Sequence, residues 1–91
     1  MRRLGRFLRR VRGDVRMGPL HICLYVVLLD ACKGGSRPDL FVIDRDEVME
    51  KAKIGSPGTY YRLMRDLSEG GYITYRSKCG PKGMMVGIVG K

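Results

Sequence analysis

The sequence has no tryptophan, two phenylalanines, one histidine, three cysteines and half as many acids as bases, nine Asp and Glu against eighteen Lys and Arg. Each shortage removes a class of function. An odd cysteine count, at positions 23, 32 and 79, closes no even disulfide framework and points to a reducing, cytoplasmic setting. With one histidine and no Cys-x-x-Cys pair, no metal site is expected. His21 lies in the most apolar stretch, where a hydrogen-bonded structural histidine is the simpler reading than a base. There is no Ser/His/Asp set and no glycine-rich phosphate loop, so catalytic residues and a cofactor are not expected and the chain is not read as an enzyme. No apolar run approaches the roughly 20 residues a spanning helix needs. The basic start followed by Ile22 to Leu29 and then Cys32 imitates a secretory lipoprotein signal. Gly18, Pro19 and His21 interrupt it, however, and Asp30 stands where a small or apolar residue is required, so neither export nor a membrane is expected.

What is present is a 91-residue chain, 44% hydrophobic, with a net charge of +9, the composition of one small folded domain with an anionic partner. The charge is unevenly placed. Residues 1–17 carry seven Arg and only Asp14 as an acid, a net +6; residues 18–69 carry seven bases and eight acids, a net −1; residues 70–91 carry Arg76, Lys78, Lys82 and Lys91 and no acid, a net +4. A neutral, apolar centre between basic extremities suits a domain that grips a polyanion on two sides. The plainer reading is that the surface bases serve solubility.

Leu4, Phe7, Leu8, Val11 and Val15 recur on one stripe of a helix, with every arginine off it, so residues 1–17 read as a basic amphipathic arm preceding a domain at 18–91. Gly5 and Gly13 weaken this helix, and its stripe needs burial, against its own domain, a second copy or, less favoured, a membrane surface. Pro19 suits the first position of a second helix running to Cys32, apolar nearly all round and therefore the centre of a core or of a core shared with a partner. Cys23 and Cys32 are read as core thiols. Leu40 to Ile43 reads as a buried strand, and Asp44 to Glu47 as a capping box opening a short helix whose core side is Val48 and Ala52, with Met49 at the edge, and which ends before Gly55. Ser56 and Pro57 repeat the start signal for a helix running to Glu69, buried through Tyr60, Leu63, Met64 and Leu67. Its opposite face is Gly58, Tyr61, Arg62 and Arg65, with Thr59 and Asp66 at the edge. Residues 72–76 and 84–89 alternate as a hairpin, with Val86 and Ile88 inward and a basic loop at 77–83.

Two helices separated by Ile54, Gly55 and Ser56 form a helix-turn-helix whose second helix suits a major groove. A hairpin pairing with strand 40–43 makes the fold class mainly α with a small antiparallel sheet, a winged helix-turn-helix with an extra N-terminal helix. The recognition helix is 57–69 and the wing is 77–83, lying on the phosphate backbone.

The segments Asp14 to Tyr25, Glu47-Val48-Met49, Lys53-Ile54-Gly55-Ser56, Thr59-Tyr60-Tyr61-Arg62 and Gly71 to Tyr75 resemble the small winged-helix DNA-binding regulators carried by bacterial integrative and conjugative elements. The resemblance spans residues 14–76, and the spacing between blocks agrees as well as the blocks. It implies a regulatory or accessory DNA-binding role in a mobile element. The Arg-rich arm and the Gly-rich end from Gly80 depart from the pattern, which bears most on wing contacts.

The expected partner is double-stranded DNA, with a homodimer through residues 1–32 as a second association. Arg62 and Arg65 are candidates for bidentate pairing with guanine or for phosphate contact, and Thr59 and Tyr61 for a thymine methyl or a phosphate oxygen. Tyr61 reads equally well as a packed surface aromatic. Ser56 caps the helix, and the free amides there and at Gly58 suit a phosphate. Arg76, Lys78 and Lys82 are candidate backbone contacts. Cys79, between the two lysines, sits where a basic setting favours a reactive thiolate. The alternatives are a protein-interaction or dimerisation module and an RNA-binding protein using the basic arm.

Overall fold

The computed structural model describes residues 2–32, 41–76 and 83–89. The described elements run α1 (Arg2–Arg12), α2 (Pro19–Cys32), β1 (Phe41–Asp44), α3 (Arg45–Ala52), α4 (Pro57–Glu69), β2 (Ile73–Arg76) and β3 (Gly83–Ile88). The protein is mainly helical with one three-stranded antiparallel sheet in the order β1-β3-β2. β3 is the central strand: Phe41 pairs with Val86 on one side and Ile73 pairs with Ile88 on the other.

α1 packs into the same core as the other helices. Phe7 and Val11 are buried and Leu4 is half-buried against them. The stripe stops there. Leu8 is 42% exposed at its flank, and Val15, expected on the stripe, is 99% exposed. The reason is that the helix ends at Arg12, in a turn closed by bonds from Gly13 N–H to Arg10 C=O (3.3 Å) and Asp14 N–H to Val11 C=O (3.0 Å). Beyond that turn the 3.6-residue period no longer applies, and Met17 packs against the core instead.

α2 begins at Pro19 and ends at Cys32, as its sequence signals require. Although apolar nearly all round, it buries one face, His21, Leu24, Tyr25, Leu28 and Cys32. Cys23 is exposed, not a core thiol, because it falls on the opposite side of the wheel. β1 runs one residue past the expected end, to Asp44, and is not buried throughout; Leu40 lies outside the described residues. Ile43 is buried and Val42 is 62% exposed, since this edge strand turns only alternate side chains inward. β2 and β3 start one residue away from the expected bounds, and Val86 and Ile88 do face the core.

Two helices end by the same device. At α3, the Lys53 N–H bonds to Glu50 C=O and the Ile54 N–H to Met49 C=O (2.9 Å). At α4, the Gly71 N–H bonds to Ser68 C=O (3.1 Å) and the Tyr72 N–H to Leu67 C=O (2.9 Å). This paired pattern requires a left-handed residue in the middle, Lys53 (φ 61°) in one case and Gly71 (φ 80°) in the other. The α3 stop therefore falls on Lys53 and not on the nearby Gly55. Ile54 and Tyr72, the residues that follow, are both buried and clamp the chain to the core. At the start of α3 the Asp44 half of the expected capping box forms, Asp44 Oδ1 accepting from the amides of Asp46 (2.8 Å) and Glu47 (3.2 Å).

Tyr72 joins more of the molecule than any burial pattern suggests. Its ring meets Phe7 edge-on (5.2 Å), Phe7 in turn stacks on Tyr25 (3.7 Å), and Arg10 lies over the Tyr72 ring at 4.4 Å. Its hydroxyl donates to Asp14 Oδ2 (2.9 Å), and its carbonyl accepts from Val89 N–H (3.1 Å).

Two glycine substitutions are expected to act in opposite directions. A Cβ on Gly5 meets nothing within 4 Å, so Gly5→Ala should stabilise α1 by about 1 kcal/mol. A Cβ on Gly70 lies 2.7 Å from Tyr72 Cε2 and 3.3 Å from Asp66 C=O, so Gly70→Ala should cost about 1–3 kcal/mol. Urea denaturation of the two variants checks both signs. Acid unfolding supplies a further test. Bonds from the Arg16 amide and the Tyr72 hydroxyl hold the Asp14 carboxyl below its ordinary range. Its contribution is therefore complete above about pH 4 and lost as pH falls further. Burial, and then the bond to Asp14, pushes the Tyr72 phenol up, a contribution lost above about pH 10. Asp14→Asn should flatten the acid limb of a melting-temperature profile and leave the alkaline loss associated with Tyr72 burial.

Candidate nucleic-acid interface

α4 is held by one side and open on the other. Tyr60, Leu63, Met64 and Leu67 are buried, at the 3–4 spacing that puts them on one stripe. Burial pushes the Tyr60 phenol well up, so this side stays uncharged. The outer side presents Gly58, Tyr61, Arg62 and Arg65 as exposed residues, with Thr59 and Asp66 half-buried at its edges, the arrangement expected from the wheel.

The N-terminal end of α4 differs from expectation in one respect. Ser56 occupies the cap position in extended conformation (φ −135°, ψ 131°), but its side chain makes no capping hydrogen bond. Pro57 has no amide to satisfy, and the first helical bond is from Tyr60 N–H to Ser56 C=O (3.0 Å). Ser56 is exposed, and a Cβ on Gly58 would make only ordinary contact with its hydroxyl (3.6 Å). The first turn contains no acid.

Asp66, at the edge of the outer face, makes a contact that the sequence did not reveal. His21, 8% exposed, bridges α2 and α4: its Nε2 lies 2.8 Å from Asp66 Oδ2, and its Nδ1 accepts from Gly18 N–H (3.0 Å). Because Nδ1 is an acceptor, the ring proton is on Nε2 and is donated to the carboxylate. Asp66 is thereby held at the edge of a face that presents Arg62 and Arg65.

Arg45, at the start of α3, was also invisible as a site residue. Its Nη1 donates to the Tyr61 hydroxyl (3.4 Å) and its Nε to Asp46 Oδ1 (3.2 Å), contacts that raise its pKa, the Tyr61 bond foremost. Tyr61 is 38% exposed, its ring edge-on to Tyr60 (5.2 Å). It is thus both an outward residue and a packed aromatic. Only the tertiary fold brings Arg45, at the junction of β1 and α3, to Tyr61, so no spacing rule finds the pair.

The arm's charge is partly spent inside the molecule. Arg10 donates to Gly70 C=O (3.2 Å) and Gly71 C=O (3.5 Å), serving the carbonyl-rich end of α4 while lying over Tyr72. Arg16 pairs with Asp14 (3.5 Å). Arg9 and Arg12 are exposed. Arg76 closes β2, its backbone in register with Met85. Lys78, Cys79 and Lys82, and with them the proposed wing tip, lie outside the described residues. Among the described residues no group of three or more His, Cys, Asp or Glu is placed to hold a metal ion, and no helix is long and apolar enough to cross a membrane.

Compared with protein-family models, with curated proteins and with solved structures, the chain matches none.

His21→Ala removes both bridging bonds from a site buried between α2 and α4. It should cost about 1–3 kcal/mol in chemical denaturation, with a slope unchanged from wild type.

Proposed function

We propose that this protein is a sequence-specific double-stranded DNA-binding protein of winged-helix type, a transcriptional regulator or accessory factor of a mobile element. The observation that carries the reading is the division of α4. One side is locked into the core, while the other offers Thr59, Tyr61, Arg62 and Arg65, with Asp66 at its edge tied to His21. A helix entering a major groove needs this division, because base edges are read by side chains near its N-terminal end while the scaffold behind it stays rigid.

The order α3, a short connection, α4 and then the β2–β3 hairpin supports the reading, as does pairing of that hairpin with β1. On this reading Arg62 and Arg65 meet guanine or flanking phosphates, and Thr59 and Tyr61 meet a thymine methyl or phosphate oxygens. Ser56 and Gly58 leave amides accessible to the backbone, and Arg76, Lys78 and Lys82 add phosphate contacts from the hairpin side. The neutral charge of the middle segment then means that base choice comes from a few placed side chains, and the basic ends supply salt-dependent affinity.

Selection of bound duplexes from a random pool should return a consensus. Against that site Arg62→Ala should cost about 1–3 kcal/mol and relax preference at one position, while Lys82→Ala should weaken all sequences alike and lower the salt slope by about one. Absence of salt-dependent duplex binding overturns the proposal, and equal binding of duplex RNA would replace it with an RNA-binding role.

A further inference from the structure

We infer that the outer face of α2 is a self-association surface, on which a second copy of this chain packs its own α2 antiparallel across a two-fold axis. α2 is the most apolar helix of the molecule, yet it buries only one side. The other side exposes Leu20 (39%), Cys23, Val26 (38%) and Ala31, with Val27 half-buried beside them. These positions recur every three or four residues along the helix, the spacing of a helix–helix seam. The small side chains at Cys23 and Ala31 leave room for close approach. Beside it toward β1, where Val42 is 62% exposed, runs a groove lined by Val27, Ala31 and Val42 and also by the charged Asp30, Asp44, Glu47 and Lys51.

Charge selects the occupant. Two chains of net +9 repel each other over most of their surface, and α2 contains no lysine or arginine at all. Its one acid, Asp30, is exposed in the last turn, at the negative end of the helix, and there is no acid in the first turn. That is the reverse of what an isolated helix prefers. An antiparallel copy corrects it twice over, setting each Asp30 against the positive N-terminal end of the other α2. A two-fold arrangement is also self-complementary, so Val26, near the middle of the stripe, meets its own counterpart close to the axis. α1 is not the seam, since Phe7 and Val11 are already used within the chain.

The association needs nothing from the DNA-binding reading and is tested without DNA, by sedimentation equilibrium of the full chain across the micromolar range. Wild type is expected to dimerise. Val26→Glu, at an exposed position, should be monomeric with an unchanged circular dichroism spectrum, while Leu8→Glu, exposed on α1, should remain dimeric. Asp30→Lys should raise the dimer dissociation constant about five-fold, although it improves the end of its own helix and leaves the dilute monomer no less stable. That opposition separates a docking role from a structural one, and it decides the matter if Val26→Glu fails to fold. A wild type monomeric throughout, an Asp30→Lys dissociation constant at or below wild type, or equal disruption by Leu8→Glu and Val26→Glu overturns the inference.

Discussion

Tyr72 is the residue on which the arrangement of the rest depends. It sits where α4 gives way to β2, and it is touched by α1 through Phe7 and Arg10, by the α1–α2 connection through Asp14, and by the end of β3 through Val89. A chain of this length has one core and little redundancy, so a side chain that closes a helix, starts a strand and anchors the N-terminal helix couples those elements energetically. Gly70 is tied to the same demand. The Tyr72 ring lies so close to its backbone that no side chain can be accommodated without displacing the ring.

The same economy governs charge. An excess of bases suggests at first a surface covered in free cations, but several are committed internally: Arg10 to the end of α4 and the Tyr72 ring, Arg16 to Asp14, Arg45 to Tyr61 and Asp46. Acids are committed too, Asp44 to the start of α3 and Asp66 to His21. The outer face of α4 carries its cations at Arg62 and Arg65, while Asp66 at its edge keeps its charge and is held in place by a neutral imidazole.

The limits of α2 and α4, the start of α3 and the inward residues of α4 and β3 were legible in the sequence, because they follow from local rules. Proline at a first turn, an aspartate at a cap and a 3–4 or alternating apolar period each act within a few residues. The expectations that failed have specific causes. Val15 lies beyond the end of α1 at Arg12, outside the stripe expected to include it; Cys23 lies on the side of α2 that the core does not reach; Val42 is on an edge strand with one dry face; Ser56 holds the cap position without making the cap bond. Lys53 took a left-handed conformation that glycine usually fills, since its neighbour Ile54 is held in the core.

The candidate site divides along the same line. Which residues of α4 face outward was set by the sequence alone, because an amphipathic helix with one strong apolar stripe has one way to lie on a core. That Asp66 bonds to His21, that Arg45 reaches Tyr61, and that Arg10 serves the far end of α4 were decided by tertiary structure. These pairs are 45, 16 and 60 residues apart in the chain. No local propensity encodes such contacts; they exist only once the shared core has fixed the angles at which the helices cross.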